Sequence, residues 1–235
     1  MTPKPTVKNG MRETAHLTSG GATVPVELFW PGAKPNGGTV VIAHGSDGMA
    51  EPWAAMIRDY AAELARANFS VVIPEYLART STTPGVGVFA QIARHAGEWR
   101  TVVADAMTFA RSLPGADSSR VALLGFSLGG HLSLRVRESA RLLVEYFAPE
   151  FPEIGGIGTA SKPVARAQIH HGLADPLVPF DNAERIQAQL KREGTAAELF
   201  RYEGAGHGFV GPDANNAAAR RSARERTLAF LRENL

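Results

Sequence analysis

A serine, an aspartate and a histidine on three separate loops are the side chains of this sequence best suited to covalent chemistry. The serine is Ser127, in Gly125-Phe126-Ser127-Leu128-Gly129-Gly130. The apolar run Val121-Ala122-Leu123-Leu124 precedes it and a segment with helical spacing follows, so this G-x-S-x-G match falls in a strand, sharp turn, helix context. Only small neighbours let backbone pass close to backbone at such a turn, which leaves the hydroxyl exposed above a sheet. Taken alone, a pattern this short is also what a Gly-rich turn with an incidental serine would look like.

The other two residues weigh against accident. His171-Gly172-Leu173-Ala174-Asp175-Pro176-Leu177-Val178-Pro179 and Glu203-Gly204-Ala205-Gly206-His207-Gly208-Phe209 each follow a strand-like segment. Each loop is rich in Gly or Pro, which shapes the backbone and leaves a titratable side chain free to reach over the sheet. The order Ser127, Asp175, His207 is the Ser, acid, His order of α/β-hydrolases. A serine hydroxyl needs a base, and His207 can serve if Asp175 holds its ring in the right tautomer. Asp47 and Asp105 are competing acids, but neither follows a late strand. The oxyanion of an acyl transfer needs two main-chain N–H donors, expected from Leu128 and from Ser46 in the turn His44-Gly45-Ser46-Asp47-Gly48.

These residues must be positioned by a scaffold, and the chain supplies the signals for one. Segments 11–18 and 23–30 read as two strands joined by Ser19-Gly20-Gly21, forming an antiparallel edge. Pro31 to Gly38 is a turn-rich break. Thr39 to Ala43 is a β-branched run of the kind buried on both faces of a parallel sheet. Further strands are expected at 69–73, 121–124, 142–147, 165–170 and 197–202. Helices are expected at 53–67, 89–112, 128–140, 182–193 and 214–233, with 78–87 a loop. Strands alternating with helices predict a mostly parallel central sheet covered on both faces. At 235 residues, with neither linker nor repeat in view, one α/β domain spanning 1–235 is expected.

Composition removes several function classes. Lysine and arginine total 25 against 23 acidic residues, a formal charge of +2 that gives no warrant for a nucleic-acid partner. The basic stretch from Arg220 to Arg226 shares a helix with Leu228, Phe230 and Leu231 and reads as a solvated face. The absence of cysteine removes a thiol nucleophile, disulfides and thiolate metal sites. His44, His131, His170 and His171 fall on different elements without metal-ligand spacing, so no metal is expected. No apolar run approaches the ~18 residues that span a bilayer. The N-terminus lacks a signal-like apolar region, so a cytoplasmic protein without membrane contact is expected.

The chain resembles the dienelactone hydrolase family of the α/β-hydrolases from about Val26 to Leu231. The resemblance rests on His44-Gly45, on Ile73-Pro74-Glu75-Tyr76 with Arg79, on the elbow with Gly129-Gly130, and on Val144-Glu145-Tyr146. His171-Gly172 with Asp175 to Pro179, and Gly206-His207-Gly208-Phe209, complete it. It implies the single-domain α/β-hydrolase fold and small-molecule ester or lactone substrates. The serine mechanism requires no cofactor, and a monomer or homodimer is expected. Members use a cysteine nucleophile opposed by a glutamate in the oxyanion turn and bind a substrate carboxylate with two arginines. Here the nucleophile position is Ser127, the turn position is Gly45, Arg79 matches one arginine, and Gly211 stands where the second would be. These departures favour a serine esterase over an enzyme for dienelactone itself. Arg79 is either a substrate-anion ligand or an ordinary surface arginine. Phe126 and Phe209 either line the substrate pocket or pack in the core, and Tyr76 and Tyr146 either face the site or do not.

Overall fold

A computed structural model describes residues 10–32 and 35–235 of the chain. The N-terminal tail lies outside the described residues but for Gly10, as do two positions of the turn-rich break before Thr39.

The first two strands, β1 (Arg12–Ser19) and β2 (Ala22–Phe29), pair antiparallel with Ser19 opposite Ala22. Gly20 and Gly21 join them with φ of 53° and 81°, a left-handed pair whose twist suits a two-residue hairpin. β3 (Thr39–Ala43), β4 (Ser70–Pro74), β5 (Val121–Phe126), β6 (Leu142–Tyr146), β7 (Arg166–Gly172) and β8 (Ala196–Tyr202) follow. One eight-stranded sheet results, in the order β1-β2-β4-β3-β5-β6-β7-β8. From β4 to β8 all neighbours are parallel, and β2 meets β4 antiparallel. The mostly parallel sheet with an antiparallel N-terminal edge is thus as the sequence predicts.

Among the described residues five helices cover the sheet: α1 (Trp53–Arg66), α2 (Ile92–Arg111), α3 (Leu128–Arg135), α4 (Asp181–Arg192) and α5 (Ala214–Asn234). Side chains alternate across each strand, so the sheet has two apolar faces. Val41, Leu123, Leu143 and Ile169 face α2, α3 and α4 through Trp99, Leu132 and Ile186. Val40, Ile42, Leu124 and Val144 face α1 and α5 through Tyr60, Leu64 and Leu231.

Two expectations need correction. The helix after the elbow ends at Arg135, not near 140, because Val136 leaves helical geometry at φ −122° and the chain continues as a short 3-10 turn. The buried Arg137 guanidinium then binds the carbonyls of Leu134, Ile157 and Gly158 and pairs with Glu193 at 2.5 Å, a set of contacts that a continued helix would forfeit. The segment 78–87 is not simply loop, since 3-10 turns occupy Tyr76–Thr80 and Val86–Gln91. Within the segment 149–162, the carbonyls of Gly155 and Gly156 accept from Arg135, and Ser161 donates to Glu138.

The arginines of α5 serve the fold as well as its surface. Arg220 donates to the Phe209 carbonyl, Arg224 lies 5.1 Å over the Tyr60 ring, and Arg226 lies 4.5 Å over Phe200. Among the described residues no helix is long and apolar enough to cross a membrane.

Candidate active site

Ser127, Asp175 and His207 follow β5, β7 and β8 at their carboxyl ends, the edge where open parallel sheets place reactive groups. Ser127 sits at φ 50° and ψ −118°, a left-handed conformation unusual for a residue with a Cβ. The surrounding glycines permit it. A Cβ on Gly125 would lie 2.5 Å from the Gly130 Cα, and one on Gly129 would overlap the main-chain oxygens of Ala43 and His44. The strained turn is held by Ser127 N–H donating to the Tyr146 carbonyl at 2.9 Å and by His131 N–H donating to the Ser127 carbonyl at 3.1 Å.

The acid and histidine loops are laced together. Leu173 N–H donates to the Tyr202 carbonyl and Ala174 N–H to the Ala205 carbonyl, each at 3.0 Å. These ties bring His207 Nδ1 to 2.7 Å from Asp175 Oδ2, and His207 Nε2 to 3.2 Å from Ser127 Oγ. The Asp175 side chain is 1% exposed. Burial alone would raise its pKa, but hydrogen bonds from His207 and from the N–H groups of Val178 and Leu177 outweigh it and hold the carboxyl below its ordinary range. With Asp175 ionised, His207 carries its proton on Nδ1 and turns a lone pair toward Ser127.

The turn after β3 comes beside this line. The main-chain N–H of Leu128 opens α3 and so has no acceptor within the helix, and that of Ser46 forms no hydrogen bond among the described residues. The turn is fixed from behind. The Tyr76 hydroxyl donates to the His44 carbonyl at 2.7 Å, its ring stacks on His44 at 4.1 Å, and Gly85 N–H donates to the Ser46 carbonyl at 3.0 Å. Burial lowers the pKa of His44 to about 4, which keeps this buttress uncharged.

Ser127, His207 and Ser46 border a cleft of about 200 Å³. Its walls are apolar: Trp53 and Met56 of α1, Val86 and Phe89 of the second 3-10 turn, Phe147 and Phe151 after β6. Phe126, Leu177 and Val178 line it too. Phe147 packs on the His207 ring with centroids 4.6 Å apart. Of these, only Phe126 was singled out in the sequence; no local pattern marks the rest, whose roles depend on which loops meet.

Arg79, Tyr76, Phe209 and Tyr146, whose alternatives the sequence leaves open, do not line the cleft. Arg79 turns to the Gly20 carbonyl at 3.3 Å and to Glu98 at 3.5 Å, outside the cleft. Tyr76 is buried behind the turn. Phe209 is 2% exposed and packs against Tyr202 and Tyr146. Tyr146 is likewise buried, its hydroxyl hydrogen-bonded to Tyr60 at 2.9 Å and Thr227 at 2.8 Å.

Three further histidines have structural partners. His170 bonds Tyr202 and Thr227, His131 faces the Pro149 carbonyl, and His171 donates from Nε2 to the Val178 carbonyl, which steadies the acid loop. Burial lowers His170 to about 3 and His131 to about 4. Among the described residues no cluster of His, Asp and Glu is arranged to hold a metal ion. Beneath α3, Glu145 on β6 is fully buried with both carboxyl oxygens unpartnered, and burial pushes its pKa well up.

Known proteins share this architecture. The chain superposes on a dienelactone hydrolase-like promiscuous phosphotriesterase from metagenomic libraries with a TM-score of 0.76 and 20% identity, covering 95% of this chain and 98% of that one. It superposes on an arylesterase with a TM-score of 0.74 and 16% identity, covering 100% and 87%. Esterase 2 of Thermogutta terrifontis, phosphoramylated by tabun, gives a TM-score of 0.65 and 19% identity over 94% of each chain. At these identities the likeness is one of fold. In sequence, a protein of Synechocystis sp. named "Putative carboxymethylenebutenolidase" is 26% identical over 112 residues, a match spanning 44% of this chain and 45% of that protein. The sequence profile of the dienelactone hydrolase family matches residues 27–235, the stretch that holds the elbow, both later loops and the six strands from β3 to β8. On that match, the chain belongs to the dienelactone hydrolase family.

Proposed function

We propose that the protein is a serine hydrolase that cleaves carboxylic esters or lactones of small molecules through an acyl-enzyme. The observation that carries this reading is the line Ser127 Oγ, His207 Nε2, His207 Nδ1, Asp175 Oδ2, with spacings of 3.2 and 2.7 Å, opening onto an apolar cleft beside two free N–H groups. Ser127 Oγ attacks the ester carbonyl as its proton passes to His207 Nε2, and Asp175 stabilises the imidazolium. The N–H groups of Ser46 and Leu128 receive the developing oxyanion; a donor of this kind is worth about 3 kcal/mol of barrier. When the tetrahedral adduct collapses, His207 returns the proton to the leaving alkoxide. Water then attacks the acyl-enzyme with His207 as base, and a second collapse frees the acid and restores the Ser127 hydroxyl.

Carboxylate-bearing dienelactone suits this cleft less well than a neutral ester, since Arg79 points away from it. The deciding experiment measures hydrolysis of short p-nitrophenyl esters and labelling by a fluorophosphonate probe, in wild type and Ser127→Ala. The expected outcome is labelling of wild type alone, and a fall in turnover of about 10³-fold or more in the variant with its melting temperature preserved. Unlabelled, folded wild type would favour a non-catalytic binding protein.

A further inference from the structure

The cleft beside Ser127 is unevenly charged. Asp47 and His207 are the titratable residues that line it, and no lysine or arginine does so among the described residues. Asp47 directly follows Ser46 in the turn after β3 and is half-buried there. Its carboxylate makes no hydrogen bond or ion pair among the described residues. After burial, the Asp47 charge is the further influence that raises the Tyr76 hydroxyl pKa. Five aromatic residues line the same cleft: Trp53, Phe89, Phe126, Phe147 and Phe151.

Such a wall treats substrate charges differently. A carboxylate entering the cleft gives up water, finds no cation to replace it, and meets a fixed negative charge. An ammonium group meets that same carboxylate and the negative faces of aromatic rings, the combination that recognises quaternary ammonium ligands elsewhere. A neutral apolar group simply buries its surface.

Taking the chain as an ester hydrolase, as proposed above, we propose further that Asp47 is the charge-selecting residue of the cleft. It directs the enzyme to esters whose apolar body carries a cation or no charge, and away from esters and lactones that carry a carboxylate.

The test compares three p-nitrophenyl esters of equal acyl length ending in trimethylammonium, methyl or carboxylate, with wild type, Asp47→Asn and Asp47→Lys. In wild type at low salt, kcat/KM is expected to fall in the order cation, neutral, anion. The cation-to-anion ratio should shrink about tenfold in Asp47→Asn, invert in Asp47→Lys, and compress in wild type as salt is raised. Ratios taken within one variant are insensitive to how much protein folds or how well the oxyanion turn works. An active wild type indifferent to charge, or a ratio unmoved in both variants, overturns the role of Asp47 and leaves the hydrolase reading standing. Wild type that neither hydrolyses any of the three esters nor takes the fluorophosphonate overturns both.

Discussion

His207 Nδ1 stands 2.7 Å from Oδ2 of Asp175, while the other oxygen of that carboxylate accepts the N–H groups of Leu177 at 2.8 Å and Val178 at 2.9 Å. The two oxygens thus have separate partners: one faces the His207 ring and the other holds its own loop. Asp175→Asn separates these roles. The amide oxygen can still accept the two loop N–H groups, but its NH₂ faces Nδ1 and forces the His207 proton onto Nε2, where it blocks Ser127. Activity toward a p-nitrophenyl ester is expected to fall about 10⁴-fold, with a melting temperature within a few degrees of wild type. Kinetics and a thermal melt on the same sample check this, and activity within tenfold of wild type would count against the tautomer argument.

The glycines of the chain are not equivalent, and two of them give opposite forecasts. A Cβ on Gly129 would overlap the Ala43 and His44 oxygens, which are main-chain atoms that cannot swing aside. Gly129→Ala should therefore cost about 3 kcal/mol or more, and push α3 away from the turn that holds Ser46. Gly97 is exposed within α2, and a Cβ there meets nothing within 4 Å. Gly97→Ala should add about 0.5 to 1 kcal/mol through helix propensity. Urea denaturation of both variants decides it, and similar shifts would show that close approach at the elbow is not what selects glycine.

Glu145 makes stability depend on pH in a particular direction. Burial raises its folded pKa well above the ordinary value of 4.5, and among the described residues no hydrogen bond satisfies either oxygen. Below 4.5 the group is neutral in both folded and unfolded chains and its contribution is fully present. As pH rises, the unfolded chain ionises first, and the contribution is lost until the folded group ionises too. Glu145→Gln keeps the shape and stays neutral throughout. Its stability relative to wild type should grow by about 1.4 kcal/mol per pH unit above 4.5, until the folded carboxyl of the wild type titrates. Denaturant melts of both proteins at pH 5 and pH 7.5 measure that growth; a difference that does not change with pH would show that Glu145 is ionised in the fold.

Much of this protein is written locally in its chain. The β-branched runs of β3 and β4, the Gly20-Gly21 hairpin and the helical spacing of α1, α2 and α5 are patterns of period or turn chemistry, and each is legible within about twenty residues. The order Ser127, Asp175, His207 is legible for the same reason, since each residue sits in a loop whose glycines and prolines mark a strand end. The end of α3 was not legible, because it depends on Arg137 reaching the carbonyls of Ile157 and Gly158 twenty residues farther on.

The walls of the cleft belong wholly to the tertiary structure. Periodicity says which side of an element is buried, but not which loop lies over which other loop. Phe89 reaches the cleft because its segment is tied to the turn that holds Ser46 by Gly85 N–H and the Ser46 carbonyl, and Phe147 because β6 ends between the elbow and β7. The same kind of contact drew Arg79 to Gly20 and Glu98, and seated Tyr76 and Phe209 in the packed interior. A residue's neighbours in sequence determined that Ser127 could be lifted from a strained turn; what it would face when lifted was decided only where distant loops pack, because those contacts have no local signature.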